Sequence, residues 1–76
     1  MDAQTYINSN TTQITEWVKA ATPEEIDAMH SQVKAIQKGI NKYQNDDNRK
    51  RWNKINAMVN MLEMWATFGK PAWMNE

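Results

Sequence analysis

The spacing of apolar residues between Thr22 and Tyr43 constrains this fold more than any other feature. Ile26, Met29, Val33, Ile36, Ile40 and Tyr43 recur at intervals of 3, 4, 3, 4 and 3. That is the a/d alternation of a helix packing along one narrow seam, with β-branched Ile26, Val33 and Ile40 at the a positions. Thr22 is a good N-cap, and Pro23 suits the first helical position, where its missing N–H would be unpaired anyway. Glu25 stands where a capping box needs its carboxylate. The pattern predicts a helix over about 23–44. Gly39, beside the seam, would leave room for a close helix neighbour.

The register cannot run on, because it would place Asp47, Lys50 and Lys54 in the core. A second seam begins in a new phase at Trp52, Ile55, Val59, Leu62 and Ala66. The change of phase predicts a turn near Asn45–Asn48 and a helix over about 47–68, capped by Asp46 or Asp47. Gly69 and Pro71 end that helix in the usual order. Two long helices joined by a short polar turn should form an antiparallel hairpin.

The second long helix is apolar on more than one side. Met58, Met61, Trp65 and Phe68 fill the sector next to its seam, so the apolar surface spans roughly 200°, twice what a one-sided surface helix needs. Asn53, Asn56, Asn60, Glu63 and Thr67 form the wet face. An N-terminal stripe of Ile7, Ile14, Trp17, Val18 and Ala21 is available to cover part of the surplus. Asn10 with Gln13 starts a helix over about 11–20, leaving residues 1–10 as a short helix or a loose arm. This stripe is too thin to cover the whole sector. Part of Met58, Met61, Trp65 and Phe68 should then be exposed in a monomer or buried in an oligomer. Trp17 and Trp52 are expected in the core. Trp65 and Trp73 are better interface candidates, one on the surplus sector and the other in the tail of residues 69–76. In that tail Trp73 and Met74 should fold back on the bundle or reach into a neighbour.

The expectation is therefore one all-α domain, residues 1–76, built as a small helical bundle. A chain of this length buries only about 60% of the surface that it exposes when unfolded. It has no cysteine and one histidine, His30, which excludes disulfides and leaves a structural zinc site without its usual thiolate and imidazole ligands. Self-association is the remaining aid to stability, and a homo-oligomer is expected. Residues 1–20 lack the basic start and apolar run of a signal peptide, and no run of 18 apolar residues occurs. A cytoplasmic protein without membrane contact is expected.

Catalysis has little support, and no enzyme activity, cofactor or metal is expected. His30 has no serine or cysteine at a spacing that suggests a pair, and Asp46 and Asp47 are adjacent, so their carboxylates diverge. Net charge is zero but unevenly spread, at −4 over residues 1–30 and +5 over residues 31–54. Lys38, Lys42, Arg49, Lys50, Arg51 and Trp52 gather near the predicted turn. They could bind nucleic acid or a small phosphorylated ligand, with Trp52 stacking on a base. Cations in the first turn of a helix oppose its dipole, which makes Arg49, Lys50 and Arg51 a local misfit. A solvated rim explains the same residues more simply, and zero net charge argues against strong nonspecific DNA binding. Trp52, Val59 and Trp65 also have the spacing of anchors on helices that dock into grooves, although core packing accounts for them too. Four tryptophans, and five methionines besides Met1, are an excess for so short a chain. Such residues dominate binding hot spots and adaptable contact surfaces. The function expected is a non-enzymatic protein–protein interaction module of the adaptor or inhibitor kind, occupying a protein partner's surface through Met58, Met61, Trp65, Phe68 and Trp73. Its size and style are those of small accessory proteins of phages and mobile elements.

Overall fold

The computed structural model describes residues 1–75, among which there are four α-helices, one short 3-10 helix and no strand. Each helix start follows from a local capping signal. Helix α1, Ala3–Asn8, begins at Asp2, whose carboxylate accepts the Thr5 N–H at 2.7 Å. That hydrogen bond holds the Asp2 carboxyl below its ordinary pKa. Helix α2, Thr11–Ala20, begins with the reciprocal Asn10–Gln13 capping box, both bonds 2.9 Å. Helix α3, Pro23–Lys38, begins with the matching Thr22–Glu25 box, both bonds 3.2 Å. Helix α4 runs over Asp46–Phe68, and the 3-10 helix spans Ala72–Asn75.

Helix α3 ends at Lys38 rather than near residue 44. The Gly39 N–H turns to the Ile36 carbonyl and the Ile40 N–H to that of Gln37, tightening the last turn. Asparagine side chains then compete for the backbone. Asn41 Oδ1 accepts the Tyr43 N–H at 3.1 Å, and Asn48 Nδ2 donates to the Asn41 carbonyl at 3.2 Å and to Gln44 Oε1 at 3.1 Å. The last seam position is therefore lost: Tyr43 is 87% exposed, and Ile40 is only half-buried. Gly39 serves as the C-cap of α3, and no neighbouring helix approaches it.

The cap of α4 is Asn45, not Asp46 or Asp47. Its Oδ1 accepts the Asn48 N–H at 2.8 Å. The two aspartates occupy the first turn, where the positive end of the helix dipole favours them. Arg49, Lys50 and Arg51 therefore fall in the second turn, and the expected misfit of cations with the dipole is absent.

Helices α3 and α4 pack closely, joined by residues 39–45, so the chain reverses between them. Ile26, Met29 and Val33 of α3 and Ile55, Val59 and Leu62 of α4 form one core with Ala3, Tyr6 and Ile7 of α1 and Val18 of α2. The Tyr6 ring meets Trp17 edge-on, with centroids 5.6 Å apart, which ties α1 to α2. Gln37 is also buried, and its Nε2 donates to Asn56 Oδ1 at 3.0 Å. Asn56 thus leaves the expected wet face and becomes the polar link between α3 and α4. Trp17 is half-buried at the edge of the core. Trp52 is also half-buried, beside the core rather than within it.

The tail folds back on the bundle. Gly69 ends α4 at φ 86°, ψ 175°, a backbone region open essentially to glycine alone. Lys70 Nζ then donates to the Lys19 carbonyl at 2.8 Å, placing a cation on the C-terminal end of α2. Met74 is buried, and the 3-10 helix packs against α2.

Candidate functional site

Two regions gather the residues singled out by sequence. The first is the face of α4 turned away from α3. Trp65 lies mostly inside the fold at 8% exposure, and Met58 is half-buried. Met61, Phe68 and Trp73 remain open, at 41%, 83% and 56%. The N-terminal helices and the tail therefore cover the inner part of the surplus sector and leave the outer part bare. Met64, which the two-stripe reading of α4 leaves out, is 45% exposed and extends the bare part.

Between α4, α2 and the tail runs an apolar groove of about 430 Å³. Lys54, Ala57, Met58, Met61 and Trp65 form its α4 wall, Ile14 with Thr11 and Thr15 its α2 wall, and Trp73 with Met74 its end. Tyr6 also lines it. Burial pushes the Tyr6 hydroxyl up from its ordinary 10.0 to about 12, and the phenol adds no charge to the groove. The lining is thus almost wholly apolar, with Lys54 as its single charged member among the described residues. Such a surface can hold an apolar side chain or the stripe of another helix. It offers no converging acid, base or nucleophile. The contribution of Tyr6, Ile14 and Met74 to the groove comes from three separate segments, and no local spacing signals it.

The second region is the turn between α3 and α4. A polar groove of about 550 Å³ lies there, lined by Lys42, Tyr43, Gln44, Asn45, Asp46, Arg49 and Asn53. Its charges are partly paired. Arg49 Nη2 is 2.9 Å from Asp46 Oδ1, an exposed pair at i, i+3. Lys42 Nζ sits 4.0 Å from the centroid of the Trp52 ring, a cation–π contact that occupies one face of the indole. A base stacking on that face would have to displace Lys42. Lys38, Lys50 and Arg51 are exposed but do not line the groove.

Apart from these regions, His30 is half-buried on α3, and its Nε2 is buried with no hydrogen-bond partner among the described residues. Among the described residues, no three or more histidines, cysteines or carboxylates come together as metal ligands. No helix among the described residues is long and apolar enough to cross a membrane. Comparison with protein-family models, curated proteins and solved structures finds no match to this chain.

Proposed function

We propose that the protein is a non-enzymatic interaction module, of adaptor or inhibitor type, that works through the outer face of α4 and the adjoining groove, as a homo-oligomer or on a protein partner's surface. The observation that carries this reading is the continuity of apolar surface there. Met61 and Trp73 are exposed at a groove whose described lining has one charge, and Met64 and Phe68 are exposed beside them on the same helix, in a depression shared with Asn60, Glu63 and Thr67. A short domain does not gain from leaving four large apolar side chains in water, and patches of this kind mark interaction sites. Sedimentation of the purified protein over a range of concentrations tests the reading. Met61→Glu should shift any assembly to monomer while leaving the helical circular dichroism intact, because Met61 lies outside the core. A wild-type protein that stays monomeric and whose Trp73 and Phe68 can be replaced by alanine without effect on any partner would sink it.

A second reading places anion binding at the turn, through Lys38, Lys42, Arg49, Lys50, Arg51 and Trp52. The polar groove beside Lys42 and Arg49 favours it, while the Asp46 and Lys42 contacts already engage two of its groups. On this reading Arg49→Glu with Arg51→Glu abolishes binding of a short single-stranded oligonucleotide, whose affinity falls steeply with salt. Equal retention of the oligonucleotide by wild type and double variant would rule the turn out.

A further inference from the structure

The exposed residues of α4 are arranged in a pattern of their own. Ala57, Met61, Met64 and Phe68 follow one another at intervals of 4, 3 and 4, which is a second a/d seam, on the side of the helix that α3 does not use. A seam of this spacing is matched by another helix. The α4 wall of the apolar groove is equally specific. Lys54, Ala57, Met58 and Met61 stand at i, i+3, i+4 and i+7, the four corners of the hole that accepts a knob from a facing helix, with small Ala57 making room. The most exposed apolar residue on the same helix, Phe68, is a knob without a hole.

We propose that the occupant is a second copy of this chain, packed with its α4 antiparallel to the first about a two-fold axis, so that Phe68 of each copy enters the Lys54–Ala57–Met58–Met61 hole of the other. This rests on the reading of the α4 face as an interaction surface and adds its occupant and register. With Phe68 opposite Ala57 and Met58, Met61 of each copy falls opposite Met64 of the other, and the symmetry makes every contact twice.

Charge selects the direction. Continuing the outer seam toward the N-terminus of α4 gives Lys54 and Lys50. A parallel pair would set these lysines beside their own copies. In the antiparallel register Lys54 instead lies just beyond the last turn of the partner's α4, where open carbonyls carry the negative end of the dipole. That turn holds no cation of its own, and the nearby Lys70 ammonium is committed to the Lys19 carbonyl. Area sets the strength. From their exposures, Met61, Met64, Phe68 and Trp73 offer at most roughly 500 Å² per copy, so a pair buries no more than roughly 1,000 Å², the lower bound for a specific interface. The dimer should therefore be weak and reversible.

The chain lacks cysteine, so single cysteines report the register without background. Isotopically labelled Met61→Cys protein and unlabelled Met64→Cys protein are mixed, oxidised mildly and resolved by mass. The antiparallel register yields the mixed 61–64 disulfide as well over half of the cross-linked product, half being the share that random pairing gives, and Ala57→Cys with Phe68→Cys does the same. In sedimentation equilibrium from about 10 μM to 1 mM, the range suited to so small an interface, wild type dimerises. Phe68→Ala should weaken that dimer by about tenfold or more, as loss of a hot-spot aromatic does. A dimer that yields homodisulfides at least as readily overturns the register but leaves self-association through this face standing. A monomer throughout, with no cross-link at any pair, overturns the dimer and its register and leaves only a foreign partner for the face.

Discussion

Tyr6 shows how one buried residue can tie two helices together and make stability depend on pH. It is 1% exposed, lies edge-on to Trp17, and shares the core with Ile26 and Leu62. Burial raises its folded-state pKa to about 12, against 10.0 for a free phenol. Between those values the folded state holds the proton that the unfolded state has lost, so stability falls as pH rises through that window. The contribution is fully present below pH 10.0 and is gone above about 12. Urea midpoints measured below and within the window should show this loss for wild type and a smaller one for Tyr6→Phe. At the glycines the backbone decides. Gly69 is at φ 86° with nothing within 4 Å of a Cβ placed there, so the cost of Gly69→Ala is conformational, about 1–3 kcal/mol. Gly39 is at φ −77°, ψ −8° and its Cβ would be 3.4 Å from the Ile36 carbonyl. Gly39→Ala should be neutral or stabilise by up to about 1 kcal/mol, by narrowing the unfolded ensemble. Thermal unfolding of the two variants separates these outcomes.

The helices differ in how plainly their ends are written. The starts of α2 and α3 are legible because a capping box needs only two residues at a fixed spacing, Asn10 with Gln13 and Thr22 with Glu25. The end of α3 is not, because the a/d pattern runs on through Ile40 and Tyr43 while Asn41, Asn45 and Asn48 offer the backbone a different set of hydrogen bonds. Local side-chain bonds win there over periodicity, since no partner is placed to cover Tyr43. The pairing of α3 with α4 contains one polar device, the Gln37–Asn56 bond. Asn56→Ala would leave the buried Gln37 amide without its partner, at a cost of about 1–3 kcal/mol. Replacing both by leucine should be nearly neutral or stabilising, because no polar group is then left unpaired. A double-mutant cycle in urea measures the coupling. Additive losses, the double change costing the sum of the two single changes, would show that the bond does not hold the helices in register.

At the scale of the whole molecule, length explains shape. Helix α4 has 23 residues, and the chain measures 42 × 21 × 19 Å, with a radius of gyration of 12.7 Å. A compact chain of this size would have a radius near about 11 Å. The 16-residue α3 and the short N-terminal helices are too small to enclose α4 on every side. They cover Trp65 and half of Met58 and leave Met61, Met64 and Phe68 in solvent. The surplus apolar sector anticipated for α4 is thus split by packing. Its inner half completes the core, and its outer half is the surface on which the proposed function rests.

The sequence by itself determined the all-α class, the starts of α2 and α3 and the glycine stop of α4, because capping, periodicity and glycine geometry are properties of neighbours in the chain. It also located the surplus of apolar residues on α4. Only the tertiary structure decided which of them face solvent, since that depends on how α1, α2 and the tail approach from distant parts of the chain. The same holds for the apolar groove, for the Gln37–Asn56 bond and for Lys42 lying over Trp52. Each joins residues whose contact no spacing encodes.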